Sequence, residues 1–177
     1  MGIRIVRTEG DECLRKVCKP VKSVSLRTRI LIEDMFDTMY ESGGVGLAAP
    51  QIGVLKRIVV MDTDDNQHVL INPQILEVSG EQTGYEGCLS IPGKSGIVTR
   101  PDYVKVKALN ERGEEYVLEG EGLLARCICH ECDHLDGILY SDKAEGGLIN
   151  NEDLPEDEEE ELYEDAYEEF TEEEIHK

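Results

Sequence analysis

The chain has 177 residues, 40% of them apolar, and carries 18 basic against 39 acidic side chains, a formal charge of −21 at neutral pH. Length and apolar content suffice for one domain with its own core and exclude global disorder. The charge argues against nucleic acid or an anionic membrane as a direct ligand of the surface as a whole. It is also segregated: residues 151–177 hold 15 acids and one Lys, a net −14, against −7 for residues 1–150. We therefore expect a mildly acidic folded domain over residues 1–149 and an acidic tail, in part helical, over 150–177.

No apolar run approaches the roughly 18 residues of a membrane helix. The start, Met1-Gly2-Ile3-Arg4-Ile5-Val6, has no signal-peptide core, and position 6 lacks the Ser or Thr of a myristoylation pattern. A cytoplasmic protein is expected. On that reading Cys13, Cys18, Cys88, Cys127, Cys129 and Cys132 are free thiols or metal ligands rather than three disulfides.

In chain order, residues 10–20 read as a turn-rich entry. Leu26, Ile30, Leu31, Met35, Met39 and Tyr40 have mostly helical spacing, so residues 25–41 are expected as a helix with Ser25 as N-cap and Gly43-Gly44 as its stop. Residues 44–53 are small and loop-like. Strands are expected at 57–61, 69–71, 74–79, 82–86, 103–109 and 115–118, with turns at Asp62–Gln67 and Asn110–Glu114. Residues 121–135, EGLLARCICHECDHL, have the spacing of a buried helix that Asp136-Gly137 ends. Beyond Pro155, the stripe Leu162, Tyr163, Ala166, Tyr167 and Phe170 predicts a helix packed on the body. Helices around antiparallel strands indicate an α+β fold with a metal-binding helix at its centre.

The chemistry concentrates in His130-Glu131-Cys132-Asp133-His134. On a helix, positions 130 and 134 lie one turn apart on one face, so two imidazoles reach one metal ion. Glu131, about 100° around the helix, flanks the open coordination position, where a carboxylate takes a proton from water. This is the pattern of metal-assisted amide hydrolysis. A third protein ligand is usual. Cys127 shares the face but also the helix, and three ligands on one straight helix strain a tetrahedral site. Cys88, in the separate segment Glu86-Gly87-Cys88-Leu89-Ser90-Ile91-Pro92, ranks first without closing the question.

Three segments occur in order: Gly44-Val45-Gly46-Leu47-Ala48-Ala49-Pro50-Gln51, Glu86-Gly87-Cys88-Leu89-Ser90 and His130-Glu131-Cys132-Asp133-His134. Together they resemble the G-x-G-L-A-A-x-Q, E-G-C-L-S and H-E-x-D-H motifs of the peptide deformylases, and the resemblance covers residues 1 to about 143. It implies a catalytic deformylase domain that removes the N-formyl group from the formyl-methionine of newly made polypeptides and releases formate. It implies Cys88, His130 and His134 as metal ligands, Glu131 as general acid/base, and the Gln51 amide with the Leu89 backbone N–H as oxyanion hole. Gly46 would bind substrate through its backbone. The implied metal is one ferrous ion (Fe2+) per chain, which Zn2+, Ni2+ or Co2+ could replace. A formylated initiator points to bacteria.

The pocket for the first side chain should be apolar, with Val45, Leu89, Leu123, Cys127 and Ile128 as candidates. Arg126, one turn before His130 at a position where deformylases vary, is expected at its rim. Glu86 is expected to pair with Arg100, and Asp133 to hold an imidazole or orient the helix. The peptide is expected as an added strand beside a sheet edge. Some deformylases dock on the ribosome through a basic C-terminal helix. A tail of −14 cannot neutralise RNA phosphates, so ribosome association by that route is not expected, whereas contact with a basic ribosomal protein remains open. Two other readings compete. A zinc peptidase sharing only H-E-x-x-H would have no use for Cys88 or Gln51. A non-catalytic binding module with an acidic tail would have no use for Glu131.

Overall fold

The computed structural model describes residues 2–155. Its elements are α1 (Leu26–Glu41), β1 (Gly46–Ala48), β2 (Ile58–Thr63), β3 (Asn66–Ser79), β4 (Gln82–Cys88), β5 (Ile91–Arg100), β6 (Tyr103–Leu109), β7 (Glu115–Glu121), α2 (Gly122–Leu135) and β8 (Glu145–Asn150). They form an antiparallel five-stranded sheet in the order β1-β2-β3-β6-β7 and a three-stranded sheet in the order β4-β5-β8. The expected α+β class is the observed one.

Strand alternation places the larger sheet between the two helices. Val59 and Met61 of β2 and Leu70 of β3 pack with Ala125, Ile128, Cys132 and Leu135 of α2. The intervening Ile58, Val60, Val69 and Ile71 pack on the opposite face with Leu31, Ile32, Met35 and Met39 of α1. A period of two on the strands thus serves both helices at once. A third cluster, Leu14, Ile91, Val98, Leu139 and Tyr140 with Cys88 at its margin, lies against the smaller sheet.

Both helices start close to where the sequence places them. The Ser25 hydroxyl accepts from the Thr28 N–H at 3.2 Å, the N-cap bond expected of α1. Four strands differ from expectation. The segments 69–71 and 74–79 are one strand, irregular at Asn72, which adopts a left-handed backbone (φ 51) inside the register shift between Ile71 and Gln74; the ladder with β6 shifts again between Ile75 and Glu77. The Asn72 side chain fixes that irregularity by accepting from Val21 N and donating to Val21 O, both at 2.8 Å. β5 and β8 each carry two glycines among polar residues, which hid them among loops, and β1 lies inside the segment read as loop. The smaller sheet was therefore largely invisible to hydrophobic patterning.

β8 ends at Asn150, a short 3-10 turn follows over Asn151–Asp153, and Leu154 is buried. The tail stripe from Leu162 to Phe170 lies outside the described residues. Among the described residues, no helix is long and apolar enough to cross a membrane.

α2 ends on Asp136, whose N–H bonds Asp133 O at 2.9 Å, and on Gly137 at φ +73. A Cβ at Gly137 would also lie 2.6 Å from the Arg15 carbonyl oxygen, a backbone atom with little room to retreat. Gly137→Ala is therefore expected to cost about 2 kcal/mol or more. Thermal unfolding should show it as a Tm about 4–8 °C lower. An unchanged Tm would mean that the turn relaxes freely.

Candidate metal centre and active-site cleft

β4 and α2 build the centre between them. Glu86 and Cys88 stand two residues apart on β4, so both side chains project from the same face, toward α2. Gly87 between them falls at a register shift with β5. On α2, His130 and His134 follow at one helical turn. The Cys88 sulfur and a ring nitrogen of each histidine all lie within 4.8 Å of one another. Cys88 Sγ is 3.4 Å from His134 Nε2, which is 3.3 Å from His130 Nε2. Of the two cysteines the sequence weighed as third ligand, Cys88 and not Cys127 is the one grouped with the two histidines.

The chemistry of this donor set fits a cation. His130 Nδ1 lies 2.7 Å from Glu86 Oε1 and donates to that carboxylate, which turns the lone pair on Nε2 toward His134 and Cys88. Two nitrogens and a sulfur then face one another, an arrangement in which one cation would meet all three. Burial keeps the His134 imidazole neutral, its affinity for a proton well below the usual range. Burial also opposes charge on His130, but hydrogen bonds to Cys88 and Glu86 outweigh it and raise its pKa to about 10. A group that draws a proton so strongly to its centre is electrostatically ready for a metal ion in the same place.

Glu86 is the hub behind the ligands. Arg100 grips it with two hydrogen bonds of 2.9 Å, as the sequence suggested. Arg126 Nη1 donates to it at 2.6 Å, and His130 takes the remaining direction. Burial opposes the charge on Glu86, but the bonds from His130 and Arg100 hold its carboxyl well below the usual carboxylate range. Asp133 touches neither imidazole: it accepts from Arg100 Nη1 at 2.7 Å and pairs with Lys143 at 2.9 Å. Of its two expected roles, only orienting the helix survives. Tyr140, which the sequence did not single out, stacks on the His130 ring at a centroid distance of 5.9 Å.

The centre opens into a cleft of about 580 Å³. Val45, Gly46, Gln51, Leu89, Cys127, His130 and Glu131 line it, together with Leu123 and Arg126. Ile128, expected in the pocket, does not: it is wholly buried in the core between α2 and the larger sheet. Residues 123, 126, 127, 130 and 131 form one helical face, whereas position 128 falls on the other side. Glu131 is 4% exposed, and its Oε2 has no hydrogen-bond partner among the described residues. Burial raises its carboxyl to about 7. Its Oε1 lies beside Gly46, where a Cβ would come within 2.6 Å of it and within 2.8 Å of Cys127 Sγ.

Gln51 is 1% exposed. The Ala48 N–H donates to its Oε1 at 2.9 Å, which commits its Nε2 to the other side, 3.1 Å from Ser90 Oγ and 3.5 Å from Cys88 Sγ. Ser90 is a further residue the sequence reading passed over, although it ends the E-G-C-L-S segment.

The model of the polypeptide deformylase family matches residues 3–147. The chain belongs to that family. A peptide deformylase from Agathobacter rectalis is 60% identical over 148 residues, 84% of this chain and 94% of the relative. A crystal structure of peptide deformylase from Thermotoga maritima superposes with a TM-score of 0.80 at 42% identity, covering 82% of this chain and 99% of that one. A class I type b peptide deformylase from Acinetobacter baumannii, solved with Met-Ala-Ser bound, matches with a TM-score of 0.78 at 36% identity over 80% of this chain and 98% of that one. Deformylases are metal-dependent, and the Cys88, His130 and His134 group could hold such a metal.

The hub predicts a pH signature. A carboxylate whose folded pKa is depressed adds stability above its unfolded value, near 4.5 here, and loses it as pH falls. Glu86→Gln leaves Arg100 and Arg126 facing a neutral amide, which should cost about 3 kcal/mol or more at neutral pH. Urea denaturation of the two proteins should show this gap narrowing steadily below pH 4.5. A gap constant down to pH 3 would show that the carboxylate charge is not what holds the hub.

Proposed function

We propose that this chain performs the family reaction, hydrolysis of the N-formyl group of newly made polypeptides, at the Cys88, His130 and His134 centre. The convergence of these three donors at the head of an apolar-walled cleft carries the reading. The Met-Ala-Ser held by the Acinetobacter relative, a peptide beginning with unformylated methionine, agrees with it. Ferrous iron is our choice of metal, and Zn2+, Co2+ or Ni2+ also suits one thiolate and two imidazoles. When bound, the divalent ion supplies Lewis acidity toward the formyl oxygen and lowers the pKa of water toward neutrality.

Glu131 takes the proton of the attacking water and later returns it to the leaving amine. A carboxyl raised by burial suits both steps, since it holds and releases a proton near neutrality. Gln51 presents its Nε2 beside Cys88, and its orientation is fixed beforehand by the bond from Ala48. With the Leu89 backbone N–H it would stabilise the oxyanion, neutral donors that add no charge to the site. Gly46 leaves the space beside Glu131 that a methyl group would fill, so the substrate backbone can approach. Val45, Leu123 and Cys127 would receive the first side chain. We place the enzyme in the bacterial cytoplasm, where formylated chains are made, with residues 1–149 as the catalytic domain and 150–177 as an acidic tail that does not dock on ribosomal RNA.

The test is formate release from a formyl-Met peptide by protein loaded with iron in the absence of oxygen. Glu131→Gln should retain the metal and lose about 10²–10⁴-fold in kcat. Gln51→Ala should lose about 10²-fold, on the order of 3 kcal/mol of transition-state stabilisation. Cys88→Ala should lose the metal itself. Full activity without Cys88 would remove this reading in favour of a different hydrolase.

A further inference from the structure

The cleft has an apolar wall with one cation set into it. Leu123, Arg126, Cys127, His130 and Glu131 occupy one face of α2, so Arg126 and Cys127 stand one turn, about 5.4 Å, from the metal ligands. With the formyl carbon at the centre, a methionine side chain reaches about that turn, which brings its sulfur level with Arg126. The guanidinium is nearly buried, and Nη1 is fully used, donating to Glu86 Oε2 at 2.6 Å and to Val98 O at 3.1 Å. Nη2 is not: its contact with Gln82 O is 3.5 Å, beyond the usual hydrogen-bond range. It also borders Gly84, where even an added Cβ would stay 3.7 Å away. Nη2 carries two N–H groups and Gln82 O takes at most one of them, so Arg126, which lines the cleft, keeps a nearly buried donor with spare capacity.

We propose that Arg126 lets this enzyme deformylate peptides whose initiator methionine has been oxidised to the sulfoxide. This rests on the reading of the cleft given above. A thioether is a weak acceptor and gains little from Nη2. A sulfoxide oxygen is a strong, polar acceptor, and in a wholly apolar pocket its burial without a partner would cost about 10–200-fold in kcat/KM. Nη2 supplies the missing donor, while Nη1 keeps the guanidinium anchored on Glu86. The sulfoxide is a bystander: water cleaves the same formyl C–N bond, and formate and the free amine leave as before. Arg126 is therefore a residue that determines specificity rather than a catalytic one.

The experiment compares kcat/KM for three peptides, formyl-Met-Ala-Ser, formyl-norleucine-Ala-Ser and formyl-methionine-sulfoxide-Ala-Ser. The full-length metal-loaded enzyme is measured beside Arg126→Lys and Arg126→Met. Dissociation constants for the deformylated Met and sulfoxide peptides give a readout independent of turnover. In the wild type the sulfoxide substrate should fall within about tenfold of the methionine substrate. Both variants should lower the sulfoxide-to-methionine ratio about tenfold further, in kcat/KM and in affinity, with the norleucine-to-methionine ratio held. Arg126→Lys keeps a cation for Glu86 but has no second nitrogen held apart from the one on the carboxylate, so it separates loss of the forked donor from loss of the fold. Ratios equal in all three proteins, or a wild type that turns over the methionine peptide but not the sulfoxide, would overturn the proposal. Failure of the wild type on formyl-Met-Ala-Ser would instead overturn the underlying function.

Discussion

The site depends on one crossing, where α2 lies against the Glu86–Cys88 end of β4. Neither element is a metal site alone. α2 offers two imidazoles on one face, and β4 offers a thiol and a carboxylate on one face. The crossing turns these into a three-donor centre with a buried anion behind it. Glu86 makes the crossing specific, since its carboxylate is bonded simultaneously to Arg100 of β5 and to Arg126 and His130 of α2. A buried carboxylate with fewer partners would be costly, whereas one with three cationic or N–H neighbours locks the strand to the helix in a single register.

That lock explains the division of labour along α2. One face carries the chemistry and the cleft wall, and the other carries Ala125, Ile128, Cys132 and Leu135 into the core over the larger sheet. The helix is held from both sides, so the ligands are fixed before any metal or substrate arrives. Such preorganisation is what electrostatic catalysis requires, because donors already in place need no rearrangement as charge develops. Gln51 follows the same logic at the opposite wall, its amide oriented by the Ala48 N–H.

Much of this was legible in the residues. His130, Glu131 and His134 declare their chemistry through spacing, because helix geometry converts sequence intervals into directions without reference to the rest of the chain. The core faces of α1, β2 and β6 were legible for the same reason. β5 and β8 were not, because two glycines in each, among polar residues, interrupt the apolar alternation of strands that brace β4 and, in β5, carry Arg100. Ile128 was misplaced because apolar character suits a pocket and a core equally. Only its angular position relative to His130, combined with knowledge of which face meets the sheet, separates the two.

The sequence by itself determined the reaction class, the placing of His130, Glu131 and His134 on one stretch of helix and the segregation of acidic charge into the tail, since these are properties of local spacing and composition. The tertiary structure decided that Cys88 rather than Cys127 faces the two imidazoles, that Asp133 serves Arg100 and Lys143 instead of an imidazole, and that Arg126 reaches Glu86 from the wall of the cleft. The contacts of Cys88, Arg100 and Glu86 with α2 join segments about 30 to 45 residues apart in the chain. Their outcome depends on how strands pair and how a helix is rotated against them, and no local interval in the chain encodes that rotation.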